Sequence, residues 1–140
     1  MRVVRQGEAT TQAVESMTYS GRERPVSGVE VSWLSQGDVD DCGKAGYGLR
    51  LFTMAPKGEI PIHSHAYAQT IYVLSGRFEC VAYDPETERV VERCEVGAGE
   101  SVFVSPWEAH GMRNPSEDQA GCFLCCIGNW KHGEDAAPGI

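Results

Sequence analysis

Pro61-Ile62-His63-Ser64-His65-Ala66-Tyr67-Ala68-Gln69 is the stretch that decides how this chain is read. His63 and His65 lie two apart where the chain is expected to enter a strand, and residues i and i+2 of a strand face the same way. Both imidazoles can therefore reach one point. Gln69 follows four residues after His65, and His110 arrives 45 residues later. Imidazoles brought together from separate strands make a metal site, whereas the bland reading of a His-x-His pair is two solvated surface side chains. The stretch alone leaves both open.

Outward from it, the chain is a succession of short segments rich in β-formers: Leu49–Ala55, Thr70–Leu74, Arg77–Tyr83, Arg89–Cys94, Ser101–Val104 and Cys122–Ile127. Between them stand turn signals, Pro56-Lys57-Gly58, Ser75-Gly76, Asp84–Thr87, Gly97-Ala98-Gly99 and Asn114-Pro115-Ser116. Many short strands at close spacing indicate an all-β sandwich or barrel. Upstream, Val29–Leu34 alternates apolar and polar side chains as a half-buried strand does, and Thr10–Val14 reads as an edge strand. Residues 35–46 read as a loop; the acids from Asp38 to Asp41 do not make a calcium loop, because the distal Glu is missing. The chain is expected to form one domain, with strands and a loop over 1–46, a barrel core over 47–128 and a C-terminal tail over 129–140 that is mobile from Lys131.

Composition narrows the class. At 140 residues the chain makes one ordinary domain and can build a core without disulfide staples. A net charge of −8 argues against nucleic-acid or anionic-membrane partners, both of which need a basic surface. The start has no apolar run of the kind a signal peptide carries, and no stretch is apolar enough to span a bilayer. A cytoplasmic location with reduced thiols is the expectation. Cys122-Phe123-Leu124-Cys125-Cys126-Ile127 is apolar throughout and reads as a fully buried strand rather than a zinc site, since no second ligand pair matches it.

Residues 47–127 resemble the two motifs of the cupins. The first motif, Gly-x5-His-x-His-x3-4-Glu-x6-Gly, is met by His63, His65, Gln69 and Gly76, with Lys57 in place of the leading glycine. The second, Gly-x5-Pro-x-Gly-x2-His-x3-Asn, is met by Gly99, His110 and Asn114, with Ser105 and Trp107 replacing its Pro and Gly. The resemblance implies a double-stranded β-helix, or jelly-roll barrel, holding one divalent metal ion through His63, His65 and His110. It makes Gln69 the fourth ligand, although the same amide can instead bond a metal-bound water. Some small cupins carry a histidine there, and the closing Phe-Leu-Cys strand is similar to that group.

Glutamine in place of glutamate has a chemical consequence. Three imidazoles and an amide are all neutral, so the metal keeps its full positive charge and its bound water should be more acidic. Imidazole suits Fe, Ni, Cu and Zn; Mn would gain more from the missing carboxylate. Strand parity sets Gln69, Ile71 and Val73 on one side, with Tyr72 and Leu74 opposite. Ile71, Val73, Met112, Phe123 and Cys125 are the expected pocket lining, the last two by resemblance to the cupin ending. Arg50 shares a face with Phe52 and Met54. Inward, it would hold an anionic substrate beside the metal; outward, it is merely solvated. Trp107 can supply pocket wall, core or interface. Tyr67, Glu108 and Tyr72 are candidates for the general base that the missing carboxylate would otherwise provide.

The expected function is a mononuclear metal-dependent enzyme of oxygenase or dioxygenase type, acting on a small organic substrate. A redox-silent isomerase or lyase, and a non-catalytic small-ligand module, are the alternatives, since fold does not imply catalysis. A homodimer is expected, because pairing covers exposed strand edges.

Overall fold

The computed structural model describes residues 3–5, 7–37 and 46–130, all in strands, turns and connections. Two strand pairs lead in. β1 (Thr11–Ala13) pairs antiparallel with β4 (Ser27–Gly37), and β2 (Ser16–Tyr19) with β3 (Arg22–Pro25). Ser20 and Gly21 both take positive φ between β2 and β3, the backbone that a tight two-residue hairpin requires. β4 runs further than the alternation of Val29–Leu34 suggests, taking in the first part of the expected loop. The remainder of that loop, with the Asp38–Asp41 acids, and the expected mobile tail from Lys131 lie outside the described residues.

The barrel is built on β5 (Gly46–His63). Its first half lies between β4 and β11 (Gly121–Trp130); its second half pairs with β10 (His110–Arg113). The remaining strands are β6 (Ala68–Ser75), β7 (Arg77–Tyr83), β8 (Val90–Gly97) and β9 (Ser101–Val104). The 9-stranded sheet runs β8-β7-β10-β5-β11-β6-β9, with β4 and β1 added beside β5, and curls into a nearly closed jelly-roll barrel. Pro56-Lys57-Gly58 is not the turn its composition suggests. It is a bulge inside a continuous strand: Ser27 faces Glu59 while Val29 faces Met54, so β5 carries extra residues there, and Lys57 takes φ +60°.

Inward side chains of β5, β6 and β11 interleave into one core around Phe123. Phe52 stacks on it at 5.1 Å and Phe78 meets it edge-on at 5.2 Å. β11 is not buried on both faces. Phe123, Cys125 and Ile127 point in, while Cys122, Leu124 and Cys126 are half-buried on the outer face. The cysteines therefore cannot converge on one ion.

Candidate metal centre

Three elements bring the histidines together at one end of the barrel. His63 closes β5, His65 sits in the connection to β6, and His110 opens β10, directly opposite His63 in register. The pair thus sits at a strand's exit, not its entry, and simple parity does not explain its convergence. Between His63 and Ile60 two residues of β5 oppose the single Gly111 of β10. That extra residue turns Ile62 toward a separate cluster with Tyr19 and Ala109, and brings His63 round to the side of Ile60.

One ring nitrogen from each histidine lies within 4.8 Å of the other two. The hydrogen bonds fix which nitrogen faces the shared point. His63 Nδ1 donates to Pro61 O at 3.0 Å, His65 Nδ1 to Tyr67 O at 2.8 Å and His110 Nδ1 to Glu108 O at 2.7 Å. A carbonyl only accepts, so each proton sits on Nδ1 and each Nε2 is unprotonated, with its lone pair outward from the ring. This is the tautomer and the outer support that metal-bound histidines use. His65 Nε2 is buried with no hydrogen-bond partner, an orphan that a cation would satisfy.

Burial holds all three rings neutral. It lowers His65 to about 4, aided by the charge His110 would carry, and lowers His110 to about 4 as well. His63 is pushed well below its ordinary value by burial and then by His110. At neutral pH the triad therefore offers three unprotonated donors, and the donor set fits a divalent transition metal. Tyr67 stacks on His65 at 4.0 Å and steadies its plane.

Gln69 lies beside the triad, buried. Its Nε2 donates to His110 Nε2 at 2.9 Å, and its Oε1 accepts from the Cys125 thiol at 3.2 Å. Cys125 Sγ in turn accepts from Arg50 Nη2 at 3.0 Å. Arg50, Cys125, Gln69 and His110 are thus one hydrogen-bonded chain. Arg50 is 2% exposed, so of its two orientations the barrel takes the inward one.

Arg50, Ile71, Met112, Phe123 and Cys125 border the cavity with the three histidines and Gln69. Val73 does not. It points the same way as Ile71, but lies one inward step further along β6, packed in the core. Trp107 leaves the pocket too, at 62% exposure, although its backbone N–H bonds His65 O at 2.7 Å. Of the candidate bases only Tyr67 borders the cavity. Glu108 instead accepts from the Ser105 N–H at 2.9 Å, and Tyr72 faces outward. Sequence reasoning missed Met17 and Thr18, which reach the cavity from β2, and did not single out Ile60 or Ser64. Nothing in the first 28 residues signals that contribution.

Fold and site together define a jelly-roll barrel protein with a histidine triad that could hold a metal ion. The chain belongs to the cupins: the family model for the cupin domain matches residues 50–127. Among solved structures, the polyketide cyclase RemF from Streptomyces resistomycificus is similar at 23% identity and a TM-score of 0.66, over 99% of this chain and 90% of that one. The Rru_A2000 cupin-2 domain of Rhodospirillum rubrum is similar at 22% identity and a TM-score of 0.67, over 91% and 74% of the two chains. KdgF from Halomonas sp. gives 14% identity and a TM-score of 0.68, over 94% and 96%. At these identities the likeness is one of fold. No curated protein matches the sequence.

Proposed function

We propose that this cupin is a mononuclear metal-dependent enzyme of oxygenase type, acting on a small organic substrate. The observation that carries the reading is the tautomer set: three Nδ1–H groups tied to backbone carbonyls, with the Nε2 lone pairs left facing one point. His63, His65 and His110 would hold the metal, with Fe, Ni, Cu or Zn suited to imidazole. Bound there, the metal would supply an electrophilic centre and, if redox-active, a route to dioxygen.

The protein's own residues prepare that chemistry. Ile71, Met112 and Phe123 wall the cavity and keep water scarce. No carboxylate borders the cavity among the described residues, so proton transfer would fall to Tyr67 or to a metal-bound water. With a metal held by the triad, the Gln69 N–H that now donates to His110 Nε2 would lose its acceptor. Gln69 would then turn and present Oε1, to the metal or to water on it.

Metal content measured by mass spectrometry on wild type, His63→Ala and Gln69→Ala tests the site. About one equivalent in wild type, lost in His63→Ala, is the expected result. Oxygen uptake with a panel of small enols and aromatics then tests the reaction class. A wild type that stays empty after anaerobic reconstitution would sink the reading. A second reading, a redox-silent Lewis-acid enzyme, is favoured by the likeness to a polyketide cyclase and by the oxidisable Cys125 thiol beside Gln69. A zinc-loaded protein that turns over without oxygen would select it.

The homodimer belongs to the same proposal. Phe103, Tyr72 and Leu74 expose apolar surface on β9 and β6, and a second copy would cover it. Sedimentation showing a monomer at micromolar concentration would remove that part. A net charge of −8 supports a small-molecule ligand rather than nucleic acid. No helix among the described residues is long and apolar enough to cross a membrane.

A further inference from the structure

Arg50 is a cation in the wrong place for a merely structural residue. It sits 2% exposed on β5, bordering the same cavity as the histidine triad. A guanidinium is rarely buried this far without a carboxylate. Among the described residues every ion pair lies elsewhere, on Arg24, Lys57, Arg77, Arg93 and Arg113. What Arg50 has instead is weak or neutral. Its Nη2 donates to Cys125 Sγ, its guanidinium lies 5.2 Å from the Phe52 ring centre and 5.4 Å from that of Trp33, and its Nε–H finds no acceptor.

Cys125 does not supply the missing charge. The sulfur donates its S–H to Gln69 Oε1 at 3.2 Å, so it sits there as a thiol. The other polar groups that line the cavity are the hydroxyl, amide and imidazole side chains of Thr18, Ser64, Tyr67, Gln69 and the three histidines, and none is a carboxylate. A protein that buries a cation against a cavity whose lining, among the described residues, holds no anion has left the counter-charge to a ligand. Planar guanidinium matches a carboxylate best, through two parallel hydrogen bonds. The cavity volume of about 50 Å³ has room for about three to five waters, which limits what enters to a few heavy atoms. Its walls at Phe52, Ile60, Ile71 and Phe123 are apolar.

We propose that the cavity binds a small organic carboxylate, its anionic group held by Arg50 and its apolar body against Phe52 and Phe123, with the far end toward the histidine triad. This names the substrate class of the proposed metal enzyme and rests on that reading for the metal alone. The Arg50 half stands or falls without it.

The test uses propionate against its neutral, shape-matched counterpart propionamide, on protein stripped of metal and on protein loaded with zinc. The readout is the Arg50 Nε–H resonance in a ¹⁵N correlation spectrum, assigned through bonds from its own backbone. Propionate should shift that resonance saturably, and propionamide should leave it in place at the same concentration. Arg50→Met should weaken propionate binding at least tenfold, by calorimetry, and Arg50→Lys less. An Arg50 resonance that stays still, or moves equally with both compounds, overturns the proposal even if the variants fail to fold. Protein that refuses zinc but still shows the propionate shift would sink the metal reading and leave the carboxylate site intact.

Discussion

Single residues show how the second cupin motif works as structure. Asn114 is buried, and its Nδ2 donates to Gln119 O at 2.8 Å and to Ala55 O at 3.1 Å, while its Oδ1 accepts from the Ser116 N–H at 3.0 Å. It ties the end of β10 to the bulge in β5. Asn114→Ala strands several buried backbone groups and should cost about 3 kcal/mol, read by chemical denaturation. Two glycine positions of the motifs keep their backbone without the glycine: Lys57 stands at φ +60° and Trp107 at φ +64°. The left-handed region costs a side chain about 1–2 kcal/mol, and more when it is β-branched. Trp107 is mostly exposed, so Trp107→Gly should change stability by no more than about 1 kcal/mol. Trp107→Val should lower the melting temperature by several degrees and, through the bond from its N–H to His65 O, loosen the metal.

At the scale of elements, the decisive contact is β5 against β10. Their bulge orients His63, and it closes only because Gly111 has no side chain. A Cβ there would lie 2.9 Å from Ile60 O and 3.3 Å from the Pro61 carbonyl carbon, both of them backbone. Gly111→Ala must push the two strands apart at the point where His63 and His110 face each other. We expect a loss of about 1–3 kcal/mol in stability and a weaker hold on metal, by calorimetry with zinc. Retained affinity would mean that the bulge does not set the triad.

For the whole molecule, the triad couples fold to pH. The folded protein holds His65 and His110 at about 4, below the ordinary 6.5 they regain on unfolding. Between those values the unfolded chain binds protons that the folded chain refuses, so stability rises with pH across the window. Metal-free protein should be most stable above pH 6.5 and lose melting temperature steadily as pH falls toward 4, with little further loss from these two groups below that. Zinc should raise the melting temperature at pH 7, because it binds the folded triad and not the open chain. The rise should shrink as pH drops, when protons compete for the same Nε2 lone pairs. A His65→Ala, His110→Ala double variant should keep only the part of the slope that His63 contributes, which would assign the rest to these two rings.

Read alone, the chain carries the class of fold and the three histidines that the structure brings within reach of one another. Strand-length apolar runs between Gly, Pro and Asp signals indicate an all-β sandwich or barrel, the two motifs point to the barrel, and the inward parity of Gln69 and Ile71 follows from the two-residue period of a strand. His63, His65 and His110 were legible because their spacing matches motifs whose metal-binding role is local chemistry. How they converge follows from packing between strands distant in the chain. A bulge adds a residue and breaks parity, and whether Pro56-Lys57-Gly58 makes a turn or a bulge depends on β4 lying alongside. The same holds for Val73, whose face is a local property while its depth in the barrel is not. Arg50 is the clearest case. Parity gave it the side of Phe52 and Met54, but only the closed barrel, which removes water from one face of β5, made it a buried cation awaiting a partner.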